Sequence, residues 1–360
     1  MKIVCIVAAL SQPRCIKRIK ALYEDGYEID VYGYRRGLYE VNEYPSEIKV
    51  NELGHAVSGK GYVKKFFNNL KNIKRIIQKY PTDTIFYGFS FDIALSLLLH
   101  KRKFIYEISD IVYAYYNSLI LKRLFRFIDK RIIKKSALTV MTSEGFKNYL
   151  FPNSNVNNVV IQPNKVSPLL KKIDRKIKEF NNNKITFAYI GAFRYPNTIF
   201  RFARIIGEFF PHYEYHFYGN SNLTPLVIEL TEKYSNVKYF GAFKSPEDLE
   251  NIYSNVDVVT ACYDNMGLNE QIAEPNKLYE AICFCCPIIV SENTYLGEKV
   301  NKLNVGYVIN PNNDASIINF INDLNKDELL NISRNELYMN ADEYIDSPAA
   351  ILEKIRSILK

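Results

Sequence analysis

The sequence predicts an α/β protein with two doubly wound domains, each a parallel sheet covered by helices. Three observations carry this prediction: a length of 360 residues, short apolar strands that alternate with amphipathic helical segments in both halves, and a break in that alternation near the middle. A chain of this length exceeds one ordinary hydrophobic core and suffices for two. Alternating strands and helices are typical of parallel sheets with helices on their faces. We therefore expect two consecutive open sheets.

The first half has the alternation expected of one Rossmann-like domain over residues 1–165. A first strand is predicted at 3–10, followed by a helix at 16–24 that ends at Gly26. The remaining predicted segments are strands at 27–32, 84–87, 104–108 and 137–142, and helices at 63–79, 93–101 and 118–135. This order predicts a single doubly wound sheet.

The alternation stops near the middle of the chain and then starts again. Residues 166–184 are rich in lysine and contain three consecutive asparagines at 181–183, so we predict an interdomain linker there. Strands follow at 185–190, 215–218, 237–240, 256–261 and 287–291. We predict a second Rossmann-like domain over residues 185–345 and a carboxyl-terminal helix over residues 346–360.

Composition and charge narrow the function classes. The net charge is +8, but residues 1–180 hold 32 Lys and Arg against 16 Asp and Glu, which leaves 15 against 23 for the second half. A basic half could meet nucleic acid, an anionic membrane surface or an anionic acceptor, and charge alone does not choose. No apolar run approaches the roughly 20 residues that span a bilayer.

The six cysteines predict reduced thiols and a cytoplasmic protein. Their spacing is irregular in a large protein, which argues against a disulfide framework. Cys283, Cys285 and Cys286 cluster, but no histidine or second cysteine pair stands at zinc-ligand spacing. We expect these cysteines to pack as small apolar residues, and we predict no metal site.

The segment from Glu274 to Glu280 carries the sharpest chemical signal. Pro275 and Asn276 suit the start of a helix, which would place a helix amino terminus at the carboxyl edge of the second sheet. Such a terminus binds phosphate. Lys277 and Glu280 are three residues apart and share a helix face, offering a cation to phosphate and a carboxylate to vicinal hydroxyls. The alternative interpretation is an intrahelical salt bridge on a solvated face.

A series of segments in the second half resembles the carboxyl-terminal domain of group 1 glycosyltransferases. In chain order these segments are FAYIGAFR at 187–194, YGN at 218–220, NVKYFG at 236–241, DLENIY at 248–253, DVV at 257–259, PNKLYEA at 275–281 and PIIVS at 287–291. The likeness is thinner in the first half, where YEISD at 106–110 is similar to an acidic motif of the family. The resemblance implies the GT-B fold, with two facing Rossmann-like domains.

The resemblance also implies the roles of donor-site residues. Glu280 would bind the ribose hydroxyls, and Lys277 and Arg194 would neutralise the diphosphate, with Asn276 at the helix start. Arg194 closes a loop in which Gly191 lets backbone approach phosphate, although it could equally be a surface arginine. The turn from Gly241 to Phe243 would hold the nucleobase through main-chain groups, or serve only as a turn.

One position departs from the family pattern. Many members carry two glutamates with seven residues between them, and the position for the first, eight before Glu280, is Ile272. Glu270 and Glu274 flank it, so a register shift could supply the missing carboxylate. The contact with the donor sugar and the choice between retaining and inverting transfer therefore stay open.

The acceptor side offers two acidic candidates. Glu107 and Asp110 follow an apolar strand and stand where a general base for an incoming hydroxyl would lie. We choose Asp110 first, because it lies deeper in the strand-to-loop turn. The alternative for both is a helix cap or an ion pair with Arg14 or Arg18.

A basic amphipathic helix is predicted from residue 118 to residue 135. Its apolar residues fall on one face, and cations surround the others. It either packs on its own sheet with a solvated back or docks on anionic lipid. The residues predicted to reach such a membrane surface are Lys122, Arg126, Lys130, Arg131, Lys134 and Lys135.

These observations predict a glycosyltransferase that uses a nucleotide-diphosphate sugar, with UDP favoured over GDP. The expected acceptor is a glycan or a polyprenyl-diphosphate-linked glycan of bacterial surface polysaccharide synthesis, at the inner face of the membrane. No cofactor, metal or nucleic acid is expected. No Gly-rich dinucleotide motif and no P-loop is present. The alternatives left open are an epimerase or phosphorylase on the same fold and a non-catalytic sugar-binding subunit.

Overall fold

The computed structural model describes residues 1–35, 44–55, 62–152, 154–180 and 184–359, with the backbone alone for residues 62–68. The chain divides into two compact units, one of residues 1–162 with 348–360 and one of residues 163–347. Each unit has its own parallel sheet covered by helices, which confirms the predicted α/β class. Residues 181–183 of the predicted linker and Lys360 of the predicted helix lie outside the described residues.

The first unit follows the predicted order of strands and helices, with two further strands. Its strands are β1 (Lys2–Val7), β2 (Glu28–Arg35), β3 (Lys49–His55), β4 (Ile85–Gly88), β5 (Phe104–Ile108), β6 (Leu138–Met141) and β7 (Val159–Ile161). Its helices are α1 (Pro13–Glu24), α2 (Tyr62–Ile77), α3 (Phe91–Leu99), α4 (Leu119–Lys135) and α5 (Glu144–Leu150), with a short 3-10 turn at Val112–Tyr115.

The first sheet is parallel and has the strand order β3-β2-β1-β4-β5-β6-β7 within the described residues. The order reverses between β1 and β4, where open sheets of this kind form a crevice at their carboxyl edge. The sequence pattern did not predict β3 and β7. Both lie at the edges of the sheet, where β3 is largely polar and half-exposed and β7 has three residues, so neither has the apolar signature of a buried strand.

The second unit repeats the architecture. Its strands are β8 (Thr186–Ile190), β9 (Glu214–Tyr218), β10 (Val237–Tyr239), β11 (Val258–Ala261), β12 (Ile288–Ser291) and β13 (Gly306–Ile309). Its helices are α6 (Arg201–Phe209), α7 (Thr224–Lys233), α8 (Leu249–Ser254), α9 (Leu268–Ile272), α10 (Asn276–Cys283), α11 (Tyr295–Leu303), α12 (Asp314–Asp323), α13 (Lys326–Leu337) and α14 (Ala341–Tyr344). Short turns of helix at Pro168–Lys172 and Pro196–Phe200 complete it.

The second sheet has the order β10-β9-β8-β11-β12-β13 within the described residues, and its reversal point lies between β8 and β11. Two buried clusters hold this unit together, one centred on Phe187, Phe202 and Tyr215 and the other on Leu278 and Tyr279. Residues 166–184, which the sequence predicts as a linker, fall within this unit. Arg175 ties this segment to the second unit, because its guanidinium donates to the carbonyl oxygens of Cys283 and Leu337 (both 3.1 Å).

The carboxyl-terminal helix, α15 (Ala349–Leu359), belongs to the first unit, not to the second that precedes it. Ile351 and Ile355 are fully buried in the same cluster as the residues of β1. Arg356 Nε donates to Asp25 at 3.0 Å, and Lys103 Nζ donates to the carbonyl oxygen of Ile358 at 2.8 Å. Among the described residues no helix is long and apolar enough to span a bilayer.

Candidate functional site

Three glycines end neighbouring strands at the carboxyl edge of the second sheet. Gly191, Gly219 and Gly241 follow β8, β9 and β10, and all three have positive φ values, of 138°, 129° and 81°. The amide of Gly191 donates to Tyr218 O at 2.8 Å, and that of Gly219 donates to Gly241 O at 2.7 Å. A Cβ on Gly219 would lie 2.0 Å from the carbonyl oxygen of Gly191. This edge is therefore bare backbone that a ligand can approach closely.

Helix α10 begins beside this edge. Both residues expected at the helix start are found there. Pro275 occupies the N-cap position, and Asn276 is the first helical residue. The Asn276 amide does not cap the helix, because its Nδ2 donates to Glu280 Oε1 at 2.7 Å. The Lys277 side chain reaches Gly191, where a Cβ would lie 3.5 Å from Lys277 Cε. The ammonium group and the helix amino terminus thus come to the carboxyl end of β8.

Glu280 accepts hydrogen bonds through both of its carboxylate oxygens. Its Oε2 accepts from Lys277 Nζ at 2.7 Å and from the Tyr253 hydroxyl at 3.0 Å, while Oε1 accepts from Asn276. The residue is only 3% exposed and Lys277 only 7%. The predicted alternative, a salt bridge on a solvated face, is wrong in its second part: the pair exists, but it is buried. A buried ion pair with added hydrogen bonds is a rigid arrangement.

Tyr253 belongs to the site, although the sequence analysis used it only as part of the DLENIY motif. Its ring stacks on Phe284 with centroids 4.6 Å apart. Burial first, and then the charge of Glu280, raise the pKa of Tyr253, so its hydroxyl stays a donor. The sequence signal that could have identified Tyr253 is its place in DLENIY, which forms the helix α8 just before β11.

Arg194 and Tyr195 form the loop after β8. Arg194 is exposed, and its charge opposes the increase in pKa that burial causes at Tyr189, Tyr195 and Tyr263. Tyr195 adopts a left-handed conformation with φ of 59°, and its hydroxyl donates to Glu270 Oε1 at 3.2 Å. The loop thus places a guanidinium close to three phenol groups at the carboxyl ends of β8 and β11.

The two glutamates beside Ile272 have different environments. Glu274 is 5% exposed and forms an ion pair with Lys299, which also donates to the Tyr279 hydroxyl at 2.9 Å. Glu270 is half-buried and borders a small cavity together with Tyr263, Ala273 and Pro275. Of the two, Glu270 is the more exposed carboxylate.

Gly241 and Phe243 lie in the loop after β10. Phe243 is half-buried against the cluster that contains Tyr218 and Leu249. The preceding Phe240 is half-exposed and stacks on Tyr218, with ring centroids 4.6 Å apart and an angle of 12°. This loop therefore presents main-chain groups beside an aromatic pair that the sequence analysis did not single out.

Glu107 lies in β5 of the first unit and is only 1% exposed. Its carboxylate pairs with Arg14 Nε and Arg18 Nε, each at 3.2 Å, and accepts from the Tyr87 hydroxyl at 2.5 Å. Burial and the charge of Glu107 raise the pKa of Tyr87. This geometry favours the ion-pair interpretation of Glu107 over the general-base interpretation, because a base must reach the substrate proton.

Asp110 lies in the loop after β5, just before the 3-10 turn at Val112–Tyr115. It is exposed, and the hydroxyl of Ser109 approaches its Oδ2 at 3.4 Å. Asp110 therefore stands at the carboxyl edge of the first sheet within reach of solvent, whereas Glu107 does not.

No ligating cluster accompanies these residues in the described ranges, where no group of three or more His, Cys, Asp or Glu side chains could hold a metal ion. All six cysteines are buried free thiols. Burial raises the pKa of Cys283 and Cys285, to about 12 and about 11, so both stay protonated.

Comparison with known proteins decides the family. Residues 171–344 match the family described as glycosyl transferases group 1. Residues 171–344 form a group 1 glycosyltransferase domain. The match covers most of the second unit, including the loop after β8, the loop after β10 and helix α10. It favours glycosyl transfer over the epimerase, phosphorylase and non-catalytic alternatives.

Solved structures show the GT-B fold over the whole length of this glycosyltransferase. Sucrose-phosphate synthase from Thermosynechococcus elongatus is 13% identical with a TM-score of 0.73, and the match covers 100% of this chain and 98% of that one. HepE from Anabaena, solved with UDP-glucose, is 14% identical with a TM-score of 0.69, covering 100% and 99%. WaaG, a glycosyltransferase involved in lipopolysaccharide biosynthesis, is 13% identical with a TM-score of 0.68, covering 98% of each chain. No curated protein sequence gives a significant match.

Proposed function

We propose that this group 1 glycosyltransferase transfers a sugar from a UDP-sugar to a glycan or lipid-linked glycan of a bacterial surface polysaccharide. The observation that carries the proposal is the buried Glu280 carboxylate beside Lys277 and the glycine edge of the sheet. Two fold relatives support its parts: HepE is solved with UDP and with UDP-glucose, and WaaG is involved in lipopolysaccharide biosynthesis.

The donor roles follow from the chemistry of each group. Glu280 accepts a hydrogen bond from a ribose hydroxyl, since three donors take roughly three of its four acceptor positions and leave one open. Lys277, Arg194 and the amino terminus of α10 offset the diphosphate charge beside Gly191. The base lies along the loop from Gly241 to Phe243. Because these cations already serve the leaving group, we propose that no metal or other cofactor takes part.

We propose Glu270 as the carboxylate that faces the donor sugar in place of the family glutamate missing at Ile272. The greater exposure of Glu270 supports this choice, and the ion pair between Glu274 and Lys299 argues against Glu274. Glu270→Gln should lower transfer at least tenfold with UDP affinity unchanged, because UDP lacks the sugar. Loss of UDP affinity in that variant would contradict the assignment.

On the acceptor side, we propose Asp110 as the group that takes the proton of the incoming hydroxyl. Its exposure at the carboxyl edge of the first sheet supports the role, and an inverting reaction requires such a base. A retaining reaction would leave Asp110 to orient the acceptor.

Helix α4 supports the proposal that the enzyme works at an anionic membrane surface. Leu121 and Leu124 of its apolar face are 43% and 49% exposed. Together with Leu119, Ile120 and Phe127, which are 63–78% exposed, they form what we call the apolar ridge of α4. An exposed apolar ridge among cations is typical of helices that lie in a bilayer interface.

The cations of α4 divide into two groups. Arg126 stacks over the Tyr149 ring at 4.1 Å, and Lys130 lies over the Phe151 ring at 5.5 Å, so both are engaged with the end of α5. Burial first, and then the neighbouring cations, lower the pKa of Lys130. Lys122 is half-exposed, and Arg131, Lys134 and Lys135 are exposed. These four are the better candidates for lipid headgroups, at about 1 kcal/mol each.

The experiment that tests the proposal is a calorimetric screen of the purified chain against UDP, GDP and CMP and the corresponding glucose or N-acetylglucosamine donors. We expect saturable binding of UDP and of one UDP-sugar, with stabilisation against heat that grows with ligand concentration. A preference for GDP would mean that the donor is a GDP-sugar and not a UDP-sugar. If the folded chain binds no nucleotide, the proposal is refuted.

A further inference from the structure

Asp129 is a buried carboxylate on the inner side of helix α4. It is 1% exposed, and each of its oxygens accepts one phenol hydrogen bond: Oδ1 from Tyr106 at 3.1 Å and Oδ2 from Tyr113 at 3.0 Å. Both tyrosines are themselves almost fully buried. Burying a carboxylate costs free energy unless the group is hydrogen-bonded. Both oxygens of Asp129 are, so the partners of these two bonds show what the residue connects.

The two phenols belong to elements of different kinds. Tyr106 lies in the middle of β5, which is paired on both sides with β4 and β6. Tyr113 lies in the 3-10 turn that follows Asp110. One hydrogen bond therefore ties α4 to a strand that is already fixed, and the other ties α4 to a loop.

Aromatic packing from the same side of α4 reinforces the second connection. Phe125 stands one helical turn before Asp129. Its ring packs against Tyr116, with centroids 5.3 Å apart, and against Tyr113 at 6.4 Å. Within the turn, backbone hydrogen bonds run from Ala114 N to Ile111 O and from Tyr116 N to Tyr113 O. These side-chain contacts add to the backbone hydrogen bonds that hold the turn.

We propose that Asp129 is a positioning residue that, through Tyr113, holds the Asp110 loop in the orientation needed by the acceptor. The same helix carries the apolar ridge on its outer side, so the element assigned to the membrane also sets the geometry of the acceptor loop. This inference rests on the proposed function of Asp110 and α4, but its structural part does not require glycosyl transfer.

The test compares Tyr113→Phe with its matched control Tyr106→Phe, since each deletes one phenol hydrogen bond to the same carboxylate. We expect amide hydrogen exchange over residues 109–118 to become at least tenfold faster in Tyr113→Phe and to change less than twofold in Tyr106→Phe. With UDP-glucose and a polyprenyl-diphosphate-linked sugar in anionic vesicles, the KM for the lipid-linked acceptor should rise about fivefold in Tyr113→Phe only. That is the increase expected when the competent loop conformation falls to about a fifth of its population. UDP affinity should be unchanged in both.

The outcomes separate this inference from the proposed function. Equal exchange in the two tyrosine variants, or no change in either, overturns the positioning role whatever the activity. If exchange behaves as expected and Asp110→Asn retains near-normal turnover, the loop is positioned by Asp129 but Asp110 is not the base. A purely structural role would lower the melting temperature of both variants alike and leave the ratio of acceptor KM to UDP affinity unchanged, which also overturns the inference.

Discussion

Replacing Glu280 with glutamine is the most direct test of the donor site. The substitution preserves size but removes the charge that accepts from Lys277, Tyr253 and Asn276 at 2.7–3.0 Å. A hydrogen bond to a charged group contributes about 1.5–3 kcal/mol, so loss of the ribose contact should weaken UDP binding by roughly 10- to 150-fold. Lys277 is left buried without its partner, and the free energy of unfolding should also fall by about 3–5 kcal/mol.

A ligand series separates the two effects. UDP and its 2′-deoxy and 3′-deoxy analogues are titrated by calorimetry into wild type, Glu280→Gln and the control Glu274→Gln, which breaks the buried Lys299 pair elsewhere in the unit. In wild type and in the control, removing a ribose hydroxyl should cost about tenfold or more in affinity. In Glu280→Gln the analogues and UDP should bind almost alike, because the contact is already lost. An undiminished penalty for the deoxy analogues in folded Glu280→Gln would refute the ribose assignment.

Three further predictions address the first unit. Asp110→Asn should lower turnover by roughly 10²–10⁴-fold with UDP affinity nearly intact, and near-normal turnover in steady-state assays would remove Asp110 as the base. Reversing Lys134 and Lys135 to Glu should abolish co-sedimentation with anionic vesicles at low salt, as high salt should for wild type; binding untouched by the reversal would make α4 an ordinary solvated face. Burial raises the pKa of Asp129 to about 7 despite the hydrogen bonds from Tyr113 and Tyr106. Because the folded-state pKa is raised, the protonated Asp129 contributes fully to the free energy of unfolding below the unfolded-state pKa near 4. That contribution is lost as the pH rises through the folded-state pKa of about 7. In urea unfolding, the free energy of unfolding of Asp129→Asn relative to wild type should therefore increase by on the order of 2 kcal/mol from pH 5 to pH 7. A difference between the two proteins that does not change with pH would contradict the shift.

The order of strands and helices was predictable because buried parallel strands leave a strong apolar signal. The signal failed at the sheet edges, at β3, β7 and β13, where side chains are partly exposed or the strand is short. It predicted the helix α15 but not its place in the fold, since periodicity identifies a helix but not the sheet on which it packs. Long-range packing of that kind depends on contacts across the whole chain.

The candidate site was predictable where neighbours in sequence are neighbours in space. Lys277 and Glu280 lie one turn apart on α10, so their pairing follows from helix geometry. The ion pair of Glu107 with Arg14 and Arg18 was anticipated only as an alternative. Tyr253 comes from a different helix, and no local pattern announces its contact with Glu280. The choice between Glu270 and Glu274 needed the position of a distant lysine.

The return of α15 to the first unit has a consequence for synthesis on the ribosome. This helix packs against β6 and buries Ile351 and Ile355 in a core whose other members come from residues before 162. The whole second unit, residues 163–347, is translated in between. At roughly 5–20 residues per second that interval is about 10–40 s. During it the first unit lacks one covering helix, so its nascent core is open to chaperones and to premature association until the last helix emerges.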